Sequence, residues 1–167
     1  FASQTVTPQG ILAAVHCKTN TPQKPQSNCI ILDNISDAGN LGTIIRTAAA
    51  ADIKDIYLIN CAQVYSPKVI RSTMGGIFFV NIYEIDYDFL DVIAQSCTII
   101  GADMEGENYL EYNKQDNFAL IIGNEANGIN PTARAKCQQF LSIPMQKIES
   151  LNAAVSAGIL IFHLKSL

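Results

Sequence analysis

Apolar runs along this chain are short, and most are followed by a polar segment rich in Asn, Gly or acid and then by residues at helical spacing. Gly10 to Cys17 (GILAAVHC), bounded by Pro8-Gln9-Gly10, predicts a strand, and Thr19 to Ser27, with Pro22 and Pro25, a loop. Cys29 to Asp33 (CIILD) is a continuous apolar run, the pattern of a strand covered on both faces. NISDAGNLG follows as a loop, and the Ala and Ile spacing of Thr43 to Ala51 predicts a helix. Asp55 to Asn60 is the next strand. Ser66-Pro67 opens a helix with Ser as cap and Pro at the first position, and Gly75-Gly76 closes it. Ile77 to Ile85 alternates towards strand, Tyr87 to Gln95 is an amphipathic helix, and Thr98 to Ala102 and Phe118 to Ile122 are strands. Phe140 to Ile143 is the final strand and Leu151 to Leu164 the final helix. Buried strands separated by helices predict an α/β fold, a mainly parallel sheet flanked by helices.

Three segments share one arrangement, an apolar strand running into a polar loop: Asn34 to Ala51, Ile121 to Asn130, and Ser142 to Phe162. In parallel sheets ligands sit outside the carboxyl ends of the strands, so the three are expected to converge on one pocket. Ser150 stands before the last helical run, where its hydroxyl can cap a free backbone N–H, and Asn152 follows on the first turn. An N-cap is the plain reading of Ser150, and a turn is the plain reading of Gly123-Asn124-Glu125-Ala126-Asn127-Gly128.

Composition narrows the class. The chain has 167 residues, 49% hydrophobic and 16% charged, which suits one compact domain with a real core. A net charge of −4 argues against a general electrostatic grip on nucleic acid, although Arg46, Lys68, Arg71 and Lys147 fall in or beside the loop segments and leave room for a small basic rim. Five widely spaced cysteines without a C-x-x-C pair are expected to be buried thiols of a reduced, cytoplasmic protein, not metal ligands or a disulfide frame. No apolar run approaches the roughly 20 residues of a membrane span, and no signal peptide is visible. The sequence begins at Phe1 without Met and enters at once a polar stretch, Ser3-Gln4-Thr5, so it is expected to be a fragment or processed form of something longer.

Several chemistries lack their residues. Neither G-x-G-x-x-G nor G-x-x-x-x-G-K-[ST] is present, and Asp37 makes the DAGNLG segment a weak phosphate cradle. His16 and His163 are placed as structural residues, and no ligand cluster suggests a metal. A site of Asn, Glu, Ser, Arg and backbone remains, suited to a neutral or cationic ligand.

Taken together, the three segments closely resemble the ordered motifs of the SpoU/TrmH family of the SPOUT superfamily, RNA 2′-O-ribose methyltransferases that use S-adenosylmethionine. The first motif is Asn40-Leu41-Gly42-Thr43-Ile44-Ile45-Arg46-Thr47-Ala48, the second Ile122 to Gly128, and the third Ile143-Pro144-Met145 with Glu149-Ser150-Leu151-Asn152. Arg71-Ser72-Thr73-Met74-Gly75-Gly76 looks like the family's R-x-S-x-G-A segment. The resemblance covers residue 9 or 10 to the C-terminus and implies a methyltransferase domain over residues 10–167. It further implies a deep trefoil knot in the C-terminal part, a homodimer, and a substrate-recognition domain ahead of residues 1–9. The expected partner is RNA, ribosomal more than transfer RNA.

The resemblance also assigns roles. Arg46 acts on the ribose hydroxyl with an RNA phosphate, or anchors that phosphate and stabilises the developing alkoxide. Asn40 positions substrate or Arg46, Glu125 shapes the second loop, and Ser150 and Asn152 orient catalytic and cofactor groups. S-adenosylmethionine is expected against Ala102, Gly123, Asn124, Ile143, Met145, Leu151, Asn152 and Ala153, with no metal. The chain departs from the family at Ala51-Asp52, Ala126 and Gln146-Lys147, which affects loop shape more than chemistry. Two other readings stand beside this one: a catalytically silent RNA- or cofactor-binding assembly module of the same fold, and a nucleotide-binding α/β domain unrelated to methylation.

Overall fold

A computed structural model describes residues 10, 16–17, 20–113, 117–148 and 150–166. Its centre is β1 (Cys29–Asp33), every residue of which is buried. β2 (Asp55–Ile59) and β3 (Asn81–Glu84) extend the sheet on one side, and β5 (Phe118–Ile122), β4 (Thr98–Asn108) and β6 (Gln139–Ser142) on the other. The order is β3-β2-β1-β5-β4-β6, with every pairing parallel. Both faces are covered, which is why the strands read as unbroken apolar runs. Ile30 and Leu32 point into the core beneath α1 (Ala38–Ala50) and α5 (Ala153–Ser166). Cys29 and Ile31 point the other way, towards Leu90 and Ile93 of α3 (Leu90–Ile93) and Ala133 of α4 (Pro131–Arg134).

The strand order reverses between β1 and β5: the chain builds β1, β2 and β3 outward, then crosses back to lay down the other half. Ligand crevices form outside the carboxyl ends at such a point. The polar segments after β1 and β5 begin there, and the segment after β6 begins at the same carboxyl side of the sheet, at its outer edge.

Several boundaries differ from the sequence pattern. α1 begins at Ala38, not Thr43, because Asp37 caps it; Asn40 and Gly42 are therefore helical. Gly42 explains itself by packing, since a Cβ there would lie 2.4 Å from the Ser72 Cβ of α2 (Pro67–Thr73). The strand expected over Ile77 to Ile85 is divided: Gly76–Phe79 form one turn of 3-10 helix and only Asn81–Glu84 pair. The helix expected over Tyr87 to Gln95 is a 3-10 turn, Tyr87–Phe89, followed by the short α3. β4 runs beyond Ala102 to Asn108, with a register shift at which Leu141 partners both Ala102 and Glu107. The strand expected over Gly10 to Cys17 lies mostly outside the described residues; His16 is exposed and unpaired there. Cys17 is exposed, against the expectation of a buried thiol, whereas Cys29 and Cys97 are buried. Burial pushes the thiols of Cys61 and Cys137 up to about 11. Among the described residues no helix is long and apolar enough to cross a membrane.

Candidate active site

The first motif is fixed from its cap. The Asp37 carboxylate accepts the backbone N–H of Asn40 at 2.8 Å, and that bond, with Lys68 at 3.5 Å, holds the Asp37 carboxyl below the usual carboxylate range. Asn40 is thereby held on the first turn of α1, its side chain facing the loop after β5.

That loop is both a turn and part of a site. Asn124 and Gly128 exchange backbone hydrogen bonds at 3.0 and 2.8 Å, closing Glu125-Ala126-Asn127 into a tip. The Asn124 side-chain oxygen accepts the N–H groups of Ala126 and Asn127, and its amide donates to the carbonyl of Asn34 at 3.0 Å. Gly128 has φ 66°, which suits glycine, and a Cβ on Gly123 would lie 2.4 Å from the Gly128 carbonyl carbon. The same loop is pinned at its far end by Asp33, a fully buried carboxylate. Asp33 accepts the Asn130 N–H at 2.6 Å, the Tyr87 hydroxyl at 2.9 Å and the Asn34 amide at 2.6 Å.

The three motifs meet in one relay. The Asn152 amide donates to the Asn40 side-chain oxygen at 2.9 Å, and the Asn40 amide donates to Glu125 Oε1. Asn152 in turn accepts the N–H groups of Ala154 at 2.9 Å and Val155 at 3.3 Å on the first turn of α5. The direction is forced: an ionised carboxylate can only accept, so Asn40 presents its NH2 to Glu125, its oxygen to Asn152, and Asn152 its oxygen to the helix. The cap of α5 is thus Asn152 and not Ser150, because the helix begins at Ala153.

Beside this relay lies a cavity of about 380 Å³ between the ends of β4, β5 and β6 and the start of α5. Of the residues expected around a cofactor, Ala102, Gly123, Asn124, Ile143, Met145, Leu151 and Ala153 line it; Asn152 reaches it only through the relay. Glu125 and Ser150 line it as well, and Asn40 joins through Glu125. Arg46 does not. It is exposed on α1, six residues and so about 9 Å along the axis from Asn40, turned well away round the helix.

Sequence reading missed Asp103, Met104, Asn127 and Ser156, which also line the cavity. Asp103 carried a usable signal, an acid directly after the strand-like TIIGA run at a carboxyl end. Arg134 pairs with Asp103 and lies over the Phe140 ring at 4.4 Å, and that pairing raises the Arg134 pKa further. The lining carries two acids, Asp103, paired with Arg134, and Glu125, which no cation faces among the described residues; Glu125 favours a cationic occupant and opposes a pyrophosphate. Among the described residues, no three His, Cys, Asp or Glu side chains come together as metal ligands would.

A sheet of this order, with a cavity beside β5, β4 and β6 and a relay of Asn and Glu, is an α/β fold matching SPOUT methyltransferase structures. The chain belongs to the SpoU rRNA methylase family, whose profile matches residues 27–162. It is 34% identical over 171 residues to the 23S rRNA (guanosine(2553)-2′-O)-methyltransferase RlmP of Bacillus subtilis, covering 98% of this chain and 67% of that protein. The AdoMet-bound rRNA methyltransferase of Sinorhizobium meliloti superposes with a TM-score of 0.79 at 30% identity, covering 87% of this chain and 57% of the other. The SpoU methyltransferase AviRb of Streptomyces viridochromogenes, in complex with AdoMet, gives 0.79 at 26% identity, over 87% and 62%. The chain thus spans 57% to 67% of the lengths of these relatives.

Proposed function

We propose that this chain transfers a methyl group from S-adenosylmethionine to a ribose 2′-hydroxyl of RNA, ribosomal RNA more than transfer RNA. The observation that carries it is the Glu125–Asn40–Asn152 relay, which ties three separated motifs together at the mouth of one cavity. The cavity fits the cofactor in size, within the roughly 300–1,000 Å³ of small-molecule sites, and in chemistry. Met104, Ile122, Leu141, Ile143, Met145 and Leu160 offer apolar walls, and the Glu125 carboxylate suits a sulfonium. Bound there, S-adenosylmethionine supplies an electrophilic methyl group. The relatives named for rRNA 2′-O-methylation, and those solved with AdoMet, support the reading.

A ribose hydroxyl is a weak nucleophile, so the chain must align it and stabilise its developing negative charge. Arginine stays charged in proteins and is a poor base. The exposed guanidinium of Arg46 has no hydrogen bond or ion pair among the described residues, which leaves it available to an RNA phosphate and to the alkoxide. Asn40, oriented from both ends by Glu125 and Asn152, positions the hydroxyl at the mouth of the cavity. Ser150, on the cavity wall without a capping duty, orients the reacting groups.

The C-terminal knot and the homodimer belong to the same proposal. The knot is supported by the path of the chain, which leaves β6 at the sheet edge and returns to pack α5 against α1. The dimer is supported by α5, a mostly apolar helix that leaves Val155 50% and Phe162 53% exposed. Residues 10–167 would be the methyltransferase domain and residues 1–9 its link to a substrate-recognition domain, consistent with the greater length of the relatives. The free, buried thiols of Cys29 and Cys97 fit a cytoplasmic setting. No observation favours the silent module, since Asn40, Arg46, Glu125, Ser150 and Asn152 are all present.

The test is methyl transfer to 23S rRNA with Arg46→Ala beside the unaltered chain. The variant should lose transfer roughly 100-fold or more, as removal of one transition-state partner does, while S-adenosylhomocysteine binding is kept. Full activity in the variant would remove Arg46 from the mechanism.

A further inference from the structure

The three most exposed large apolar side chains among the described residues are not at the cavity. Phe78 is 86% exposed and Phe79 74%, adjacent on the 3-10 turn Gly76–Phe79, with Met74 at 73% just before them. The turn is rigidly placed. Met74 and Gly75 take φ of 48° and 84°, reversing the chain after α2, and the Phe78 N–H bonds the Gly75 carbonyl at 3.2 Å. At three residues per turn, Ile77 and Val80 share the inner face and both pack on the core. Phe78 and Phe79 therefore both project outward, about 120° apart round the turn. A Cβ on Gly76 would lie 3.0 Å from the Cα of Arg46, so this turn rests directly on α1 at Arg46.

Charge around the turn runs against that of the whole chain. From Ile56 to Tyr83 there is no Asp or Glu, while Lys68 and Arg71 are present, in a protein of net charge −4. The guanidinium groups of Arg71, exposed on α2, and of Arg46 both lack a hydrogen bond or ion pair among the described residues. Two flat aromatic faces beside two unpaired guanidiniums match unpaired bases beside phosphates. A second copy of the chain is better matched by the exposed apolar side chains of α5, Val155 and Phe162.

We propose that Phe78 and Phe79 form a stacking platform for unpaired bases of the substrate RNA, with Arg46 and Arg71 holding the flanking phosphates. This rests on the RNA methyltransferase reading and gives it a substrate class: the target lies in a single-stranded or looped segment, with its neighbours splayed onto the turn.

The experiment is fluorescence anisotropy of the full chain with a short fluorescein-labelled single-stranded RNA of mixed sequence, and with the same strand in a duplex. Three exposed double variants separate stacking from other contacts. Phe78→Ala with Phe79→Ala, and Phe78→Leu with Phe79→Leu, should each weaken single-strand binding roughly tenfold or more. Phe78→Tyr with Phe79→Tyr, which keeps the ring faces, should bind as the unaltered chain does, and the duplex should bind more weakly than the single strand throughout. Solution mass and S-adenosylhomocysteine binding should stay unchanged in all three. Undiminished binding by the leucine pair overturns the platform, as does single-strand binding absent from the unaltered chain. Unchanged RNA affinity with a lowered solution mass overturns it too, and assigns the face to a second copy. Failure of the unaltered chain to bind S-adenosylhomocysteine counts against the methyltransferase reading alone, because the tyrosine–leucine contrast reads the platform without it.

Discussion

Asp33 holds the second motif in place without touching the cavity. Its carboxylate is fully buried and is balanced by hydrogen-bond donors from three elements rather than by a cation. Replacing it with Ala removes the acceptor of the Asn130 N–H and of the Tyr87 hydroxyl, both partly buried. Asp33→Ala should cost about 3 kcal/mol or more, read from the urea midpoint, and Asp33→Asn less, since one acceptor oxygen remains. An unchanged midpoint for Asp33→Ala would show that the cluster does not stabilise the fold. None of this was legible beforehand: Asp33 reads as the polar end of an apolar strand, and its partners Tyr87 and Asn130 lie 54 and 97 residues away. Asn40, Glu125 and Asn152 were each legible from their motifs. Their linkage was not, because side-chain pairing over 85 and 112 residues is set by the sheet order and leaves no local periodicity. Arg46 was legible as a motif residue, but its position outside the cavity was not.

Among the elements, the strands were read best and the helix starts worst. Cys29–Asp33 and Phe118–Ile122 end where their apolar runs end, because burial on both faces leaves no ambiguity of register. α1 starts five residues before its apolar spacing does, because the Asp37 side chain caps it and outweighs the cost of helical Gly39 and Gly42. Ile77 to Ile85 alternates like a strand, yet Met74 and Gly75 in left-handed conformations reverse the chain and wind its first half into a turn. The Asp37 cap gives a pH signature. A carboxyl lowered in the folded state contributes stability that is complete above its ordinary value of 3.8 and is lost as pH falls through the lower folded value. Asp37→Asn keeps a good cap that does not titrate. Between about pH 5 and pH 3 the unaltered chain should therefore lose more stability than Asp37→Asn, measured by urea midpoints at each pH. Parallel losses would mean that the cap does not depend on the charge.

At the scale of the molecule, the class of fold was legible because short buried strands alternated with helical spacing, and three polar segments followed strands. The order of those strands was not. Placing β5 between β1 and β4 is what brings residues from Asn40 to Asn152 to one crevice, and it follows from packing both apolar sheet faces at once. The central claim is that this crevice holds S-adenosylmethionine beside the Glu125–Asn40–Asn152 relay. Calorimetric titration with S-adenosylhomocysteine tests it most directly. One saturable site per chain is predicted, and folded protein that takes up none, or takes up ATP or NAD in its place, would contradict it.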